Sequence, residues 1–352
     1  MKRRTLLASA AMALGLATAG IADDKTKVGF VYVGPVGDGG WTYEHDQGRK
    51  AVVEAFGDKV ETTYVENVPE GADAERVITQ MALQGADLIF TTSFGFMNPT
   101  VKVAKQFPKV MFEHATGYKT APNVSVYNAR FHQGRAVIGT IAGHMSKSGV
   151  AGYIASFPIP EVVMGINAFT LAAQKVNPDF KTKVVWVNSW YDPGKESDAS
   201  KTLIDQGADM ITQHTDSPAP LQVAENRGVF GFGQASDMKA YAPRAQLTAI
   251  LDDWSDYYVQ RTQDVMDGSW KSQNIWHGMK EGMVKIAPYG DAITDAARDH
   301  AEKVRIALTD GSQHTFAGPI KNQKGDEVLA AGQSLDDGKM ATMDWYVEGV
   351  QS

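Results

Sequence analysis

Residues 28–41 read VGFVYVGPVGDGGW, and the fold turns on them. The first half, Val28-Gly29-Phe30-Val31-Tyr32-Val33, is β-branched and aromatic, the composition of a strand. The second half, Gly34 to Gly40, is glycine, proline, valine and aspartate. It ends at a large aromatic, Trp41, and a helical pattern follows. Strand, glycine-rich loop, helix is the opening of a βαβ unit, and in such units ligands sit beyond the carboxyl end of the strand. An indole at that place offers a flat apolar face and one N–H donor.

Outward from this stretch the alternation repeats. Helical patterns at 43–56, 73–84 and 98–106 interleave with strand patterns at 59–65, 87–92, 110–113 and 124–129. Asp73 is the expected N-cap of the second of these helices. A second series then begins, with helices at 132–145, 162–176, 196–206 and 219–227 and strands at 149–156, 183–188, 209–214, 229–232 and 246–251. Gln84-Gly85-Ala86-Asp87 in the first series recurs as Gln206-Gly207-Ala208-Asp209 in the second, each time where a helix stops and a buried strand starts. Such alternation with short links predicts parallel sheets covered by helices on both faces. The echo predicts two similar doubly wound, Rossmann-like α/β lobes. The tail carries a helix at 256–266, strands at 282–286 and 314–317, and a turn-rich hairpin signal at 321–326.

The chain has 352 residues, a formal net charge of -7 and no cysteine. That length suits about two domains. An acidic chain without a basic run beyond its first residues is a poor partner for nucleic acid, because phosphate binding needs a basic face. Met1-Lys2-Arg3-Arg4 followed by an Ala/Leu-rich segment and by Ala17-Thr18-Ala19 and Ala22 reads as a secretory signal peptide over 1–22. The absence of cysteine leaves no site for a lipid anchor after cleavage, so a soluble, exported, periplasmic protein is expected. No other segment is long and apolar enough to span a bilayer.

Enzyme motifs are missing. The chain has no cysteine nucleophile, no G-x-S-x-G elbow and no Walker loop. Residues 34–40 do not fit G-x-G-x-x-G, and Pro35 and Val36 stand where a phosphate cradle needs bare backbone. The eight histidines show no zinc-binding spacing. Asp252 and Asp253 are neighbours on or beside a strand, so their side chains face opposite ways and do not share a proton. Aromatic residues, in contrast, recur at strand ends: Trp41, Phe94 and Phe96, Tyr127, Phe157, Trp190-Tyr191 and Trp254. Two lobes meeting by those edges would make a cleft walled by rings, suited to a flat heterocycle, since stacking is worth about 1–3 kcal/mol per base.

These features are similar to those of the basic-membrane-protein family of periplasmic substrate-binding proteins, in its nucleoside-binding branch with the type I periplasmic binding fold. Gly37-Asp38-Gly39-Gly40-Trp41-Thr42 resembles the family's loop whose aromatic stacks on the purine. Residues 87–96, Asn177-Pro178, Asp192-Pro193-Gly194-Lys195, 206–209 and Gly278-Met279-Lys280-Glu281-Gly282 are close to further signatures. The resemblance implies two lobes closing about a hinge, over 25–126 plus 255–310 and over 127–250 plus 311–352, with crossings near Asn128, Leu251 and Gly311. It implies a monomer that hands its ligand to the membrane permease of an ABC transporter, with no cofactor. The expected stacking residues are Trp41 and Phe94, with Trp190 or Trp254; the expected polar contacts are Asp38, His114, Tyr127, Asn128, His214 and Asp237.

One departure bears on the ligand. Where nucleoside binders carry a carboxylate for the ribose hydroxyls, this chain reads Gly231-Phe232-Gly233-Gln234-Ala235-Ser236, with Gly233 at that place. A buried hydroxyl without a partner costs about 1–3 kcal/mol. A free purine base such as adenine is therefore expected ahead of a nucleoside. A purine nucleoside, a riboflavin-like heterocycle and an exported nucleoside-hydrolysing enzyme are the alternatives.

Overall fold

A computed structural model describes residues 25–37 and 39–352. The expected signal peptide and Asp38 lie outside the described residues. In chain order the first lobe builds β1 (Thr26–Val31), α1 (Trp41–Phe56), β2 (Val60–Val65), α2 (Ala72–Leu83), β3 (Leu88–Thr91), α3 (Met97–Ala104), β4 (Met111–Ala115) and β5 (Val124–Ala129). The second builds α4 (Phe131–Met145), β6 (Val150–Ala155), α5 (Pro160–Val176), β7 (Lys181–Trp186), α6 (Pro193–Asp205), β8 (Met210–His214), α7 (Ala219–Arg227), β9 (Phe230–Gly233) and β10 (Gln246–Asp252). There follow α8 (Ser255–Met266), β11 (Asn274–His277), β12 (Val284–Ile286), α9 (Asp295–Thr309), β13 (Ile320–Lys321), β14 (Glu327–Leu329), α10 (Asp337–Met340) and β15 (Val350–Gln351).

The first sheet has the strand order β2-β1-β3-β4-β5-β11, and the second β15-β7-β6-β8-β9-β10-β12. Within them, β2-β1-β3-β4-β5 and β7-β6-β8-β9-β10 follow the same doubly wound order, whose ligand crevice opens beyond the carboxyl ends where the order reverses. Within these two sheets all described pairs are parallel except β10 with β12. Strands covered on both faces must be apolar nearly throughout, and Phe30, Val31, Leu88, Ile89 and Phe90 are fully buried.

The tetrapeptide echo is a structural repeat. Gly85 and Gly207 take φ of 84° and 96°, a conformation glycine adopts freely. Ala86 N–H then donates to Met81 O and Ala208 N–H to Leu203 O, closing each helix. Asp87 N–H donates to Lys27 O and Asp209 N–H to Val150 O, which sets each new strand beside the first of its lobe. Asp73 is not the cap of α2; Gly71 takes that place, and Asp73 lies in the first turn, where a carboxylate favours the helix N-terminus.

The lobe boundaries differ from the expectation. All of β5 belongs to the first sheet, so the chain crosses after Ala129. α8 packs on α1 and β11 extends the first sheet beside β5, but β12 pairs antiparallel with β10. α9 lays Ala297, Ala301, Val304 and Leu308 inward at helical spacing and packs on α4. Residues 284–309 thus sit with the second lobe, and the last crossing lies between His277 and Val284 rather than near Gly311. No strand forms over 314–317, whereas the hairpin at 321–326 is present as β13 and β14.

Candidate ligand-binding cleft

The carboxyl edges of the two sheets face each other across a narrow cavity of about 20 Å³. The first lobe lines it with Val33, Trp41, Ser93, Phe94 and Thr116, from the segments that follow β1, β3 and β4. The second lines it with Glu161, Trp190, His214, Asp216 and Gln234, from the start of α5 and the ends of β7, β8 and β9. Four expected residues, Trp41, Phe94, Trp190 and His214, therefore meet at one place.

Trp41 is the first residue of α1 and is held from behind. Its Nε1–H donates to Thr92 O at 2.7 Å, so the indole presents a face while its donor is already used within the lobe. Its ring meets His45 edge-on at 4.4 Å and Trp254 at 5.5 Å. His45 lies parallel to Trp254 at 4.7 Å and bonds through Nδ1 to the Tyr258 hydroxyl, which bonds to the Tyr127 hydroxyl at 2.6 Å. Burial drives the His45 imidazole well below its usual pKa, so it is neutral. Tyr127 and Trp254, expected as ligand contacts, are fully buried in this packing and back the Trp41 wall instead of lining the cavity.

The glycines of the opening loop serve the meeting of the lobes. Gly40 has φ 92° and ψ -169°, a region open to glycine almost alone. A Cβ there would stand 2.3 Å from the carbonyl oxygen of Asp216 in the other lobe. The Gly40 N–H donates to Ser236 Oγ across the lobes at 2.6 Å. A second cross-lobe bond runs from Trp190 Nε1–H to Glu70 Oε1 at 3.2 Å, and the same oxygen accepts from Gly95 N–H at 3.0 Å.

The polar groups come mainly from the second lobe. His214 places Nε2 3.3 Å from Glu161 Oε1, while its buried Nδ1 has no partner within the protein. Burial lowers the His214 pKa against the pull of Glu161, which favours the neutral ring. Burial, then the charges of Glu196 and Glu161, push the Asp216 carboxyl well above the usual range, so it is held protonated. Gln234 accepts from the buried Arg135 guanidinium through Oε1. Close by in charge terms, Asp252 is buried with neither carboxylate oxygen bonded to protein, and burial raises it strongly, with Glu44 adding to the effect.

Other expected residues lie elsewhere. His114 is buried behind the cleft, bonded through Nδ1 to Thr91 Oγ1 at 3.0 Å, and burial lowers its pKa to about 3. Asp237 is exposed and accepts from Gln246 Nε2 at 2.6 Å and Lys239 N–H at 3.0 Å. Asn128 donates to Gly117 O at 3.2 Å and lines a neighbouring cavity. Position 233 does not face the ligand space: a Cβ on Gly233 would be 2.6 Å from Ala249 Cβ and 2.9 Å from Gln246 Oε1. Glu161, Asp216, Gln234, Ser93 and Thr116 were not expected from the sequence. Asp216 and Gln234 follow directly on strand ends, so the rule that located the aromatics would have found them had polar residues been read the same way. Among the described residues no group of three or more acidic, His or Cys side chains is placed to hold a metal. No described helix is long and apolar enough to cross a membrane.

The family model for PnrA-like ABC transporter substrate-binding proteins matches residues 25–309. The chain belongs to this family. Within reach of the PnrA-like group, the chain is 62% identical over 329 residues to a purine-binding protein of Brucella abortus (strain 2308), covering 94% of each chain. It is 35% identical over 328 residues to a putative ABC transporter glucose-binding protein of Haloferax volcanii, covering 93% of this chain and 81% of the relative. A solved ABC solute-binding protein of Aeropyrum pernix K1 superposes with a TM-score of 0.71 at 18% identity, over 84% of this chain and 92% of the other. That likeness is one of fold, and it matches the two-lobed α/β architecture expected from the sequence.

Proposed function

We propose that this PnrA-like protein is the substrate-binding component of an ABC importer, acting outside the cytoplasm, and that it closes its lobes on a purine. A free base such as adenine is favoured over a nucleoside. The observation that carries this reading is the cavity between the sheet edges, with Trp41 and Phe94 on one side and Trp190 on the other. Its volume is about 20 Å³, so the lobes must part to admit a ring. Rings on both sides suit a flat heterocycle. Glu161 offers acceptor oxygens for ring N–H and amino groups, the Gln234 amide offers an N–H donor, and a protonated Asp216 offers a donor for a ring nitrogen. The name of the Brucella relative supports the purine class.

A second reading is a hexose. The Haloferax relative is named for glucose, and two carboxyl side chains, Glu161 and Asp216, line the cavity, where they could take hydroxyl hydrogens. Calorimetry on refolded, ligand-free protein with adenine, adenosine, guanosine, riboflavin and glucose separates these. Adenine is expected to bind tightest. Adenosine binding tighter than adenine overturns the free-base reading, and glucose alone binding overturns the purine reading. Incubation with inosine and adenosine is expected to give no turnover; free base released from them would point to a hydrolase.

A further inference from the structure

A second space adjoins the ligand cavity at Phe94. Beyond Phe94, Thr116 and Glu161, which line both spaces, lies an outer chamber of about 700 Å³ between the lobes. Its far walls are Ile159, Pro160 and Met164 at the start of α5, Trp276 of β11, and Ala341 just after α10. We propose that this chamber is a second subsite of the same binding site, taking a hydrocarbon or aryl substituent carried by the purine. The proposal rests on the purine reading of the inner cavity.

Three observations carry it. First, the two spaces adjoin at a neck formed by Phe94, Thr116 and Glu161, so a ring stacked on Phe94 in the inner cavity lies beside the chamber. Second, several of the chamber's polar groups are bonded within the protein. Asn128 Nδ2–H donates to Gly117 O at 3.2 Å, Trp276 Nε1–H to Ala129 O at 2.9 Å, and Glu161 is beside His214. A sugar placed there would exchange water for few partners, whereas a hydrocarbon would only gain burial. Third, Thr116 at the neck has φ 61°, a conformation that a β-branched residue adopts only when its surroundings impose it and that gathers at ligand sites.

Part of the outer wall lies outside the stretch that the family model matches. The family match stops at residue 309, while the wall around Ala341 comes from the tail beyond it. That tail is fastened in place. Arg130, at the first crossing, bonds Asp337 through both guanidinium nitrogens at 2.8 and 2.7 Å and lies over the Trp276 ring at 4.8 Å. Asn167 ties the tail's other end, donating to Trp345 O at 2.7 Å and accepting from Val347 N–H at 3.0 Å.

The test is calorimetry of the ligand-free protein with adenine, N6-benzyladenine and 9-benzyladenine, the two benzyl isomers covering the two directions in which a purine could aim its substituent. At least one isomer is expected to bind about tenfold tighter than adenine, a gain typical of burying one aryl group. Ala341→Trp, on an exposed position that only the chamber feels, is expected to abolish that gain and to leave adenine affinity unchanged; Thr342→Trp repeats the test from the next residue. Both isomers binding no better than adenine, or a gain that survives both tryptophans, overturns the subsite. Adenine itself failing to bind overturns the purine reading on which the subsite depends, so the two failures are distinct.

Discussion

Trp41 shows how one side chain is made ready before a ligand arrives. Its donor is spent on Thr92 O, and its ring is fixed against His45 and Trp254. A plate locked in this way loses little side-chain entropy on binding. Trp41→Ala is expected to weaken purine binding roughly tenfold or more, about 1.4 kcal/mol, with far-UV circular dichroism unchanged. Unchanged affinity would reduce the indole to edge packing. A second residue, Glu44 on α1, carries a pH signature. Burial, then the charge of Asp253, raises its pKa from 4.5 to about 8. A carboxyl raised in this way binds its proton more tightly in the folded protein than in the unfolded chain. Its contribution to stability is therefore full below about 4.5 and is lost as pH climbs through about 8. Glu44→Gln should flatten the fall in denaturation midpoint across that window; a slope equal to that of the parent protein would refute the assignment.

Among the elements, α8 departs from the chain order. It follows the second series of strands yet returns to the first lobe, where it packs on α1 and backs the cleft through Tyr258. Its anchor is a buried ion pair: Arg261 Nε–H donates to Glu113 Oε1 at 2.6 Å, and Tyr257 and Trp270 donate to the same carboxylate. Removing one partner leaves a buried charge short of its counterpart, which costs about 3–5 kcal/mol. Glu113→Ala is expected to lower unfolding free energy by roughly that amount in denaturant titration. A loss below about 1 kcal/mol would mean that Asp264, the other partner of Arg261 at 2.6 Å, suffices alone. The elements themselves were largely legible in the sequence, because β-branched runs, helical spacing and glycine stops act locally. Asp73 misled because its side chain suits an N-cap, whereas the backbone reversal needed at Gly71, φ 92°, selects glycine.

For the whole molecule the decisive event is the approach of the lobes. Gly40 N–H to Ser236 Oγ and Trp190 Nε1–H to Glu70 Oε1 exist only when the sheet edges are close. Gly40→Ala would add a Cβ 2.3 Å from Asp216 O and impose a backbone conformation costing about 1–3 kcal/mol for alanine. The expected result is at least a tenfold loss of ligand affinity and the loss of ligand-induced contraction in small-angle scattering, contraction being the signature of hinge closure. A contraction equal to that of the parent protein would show that the contact is not needed for closing. At this scale the sequence was legible as two lobes and an aromatic cleft. It determined those because alternation, helix stops at Gly85 and Gly207, and rings at strand ends are properties of short windows. Which side chains reach the ligand space was decided by tertiary structure alone. Tyr127 and Asn128 differ by one step of the strand pleat, Trp254 turns beneath Trp41, and Glu161, Asp216 and Gln234 arrive from the other lobe. The glycines after β1 make the same point. Their number is a fact of sequence, but the reason for Gly40 is a carbonyl at Asp216, 176 residues away, which only closure brings to 2.3 Å of the missing Cβ.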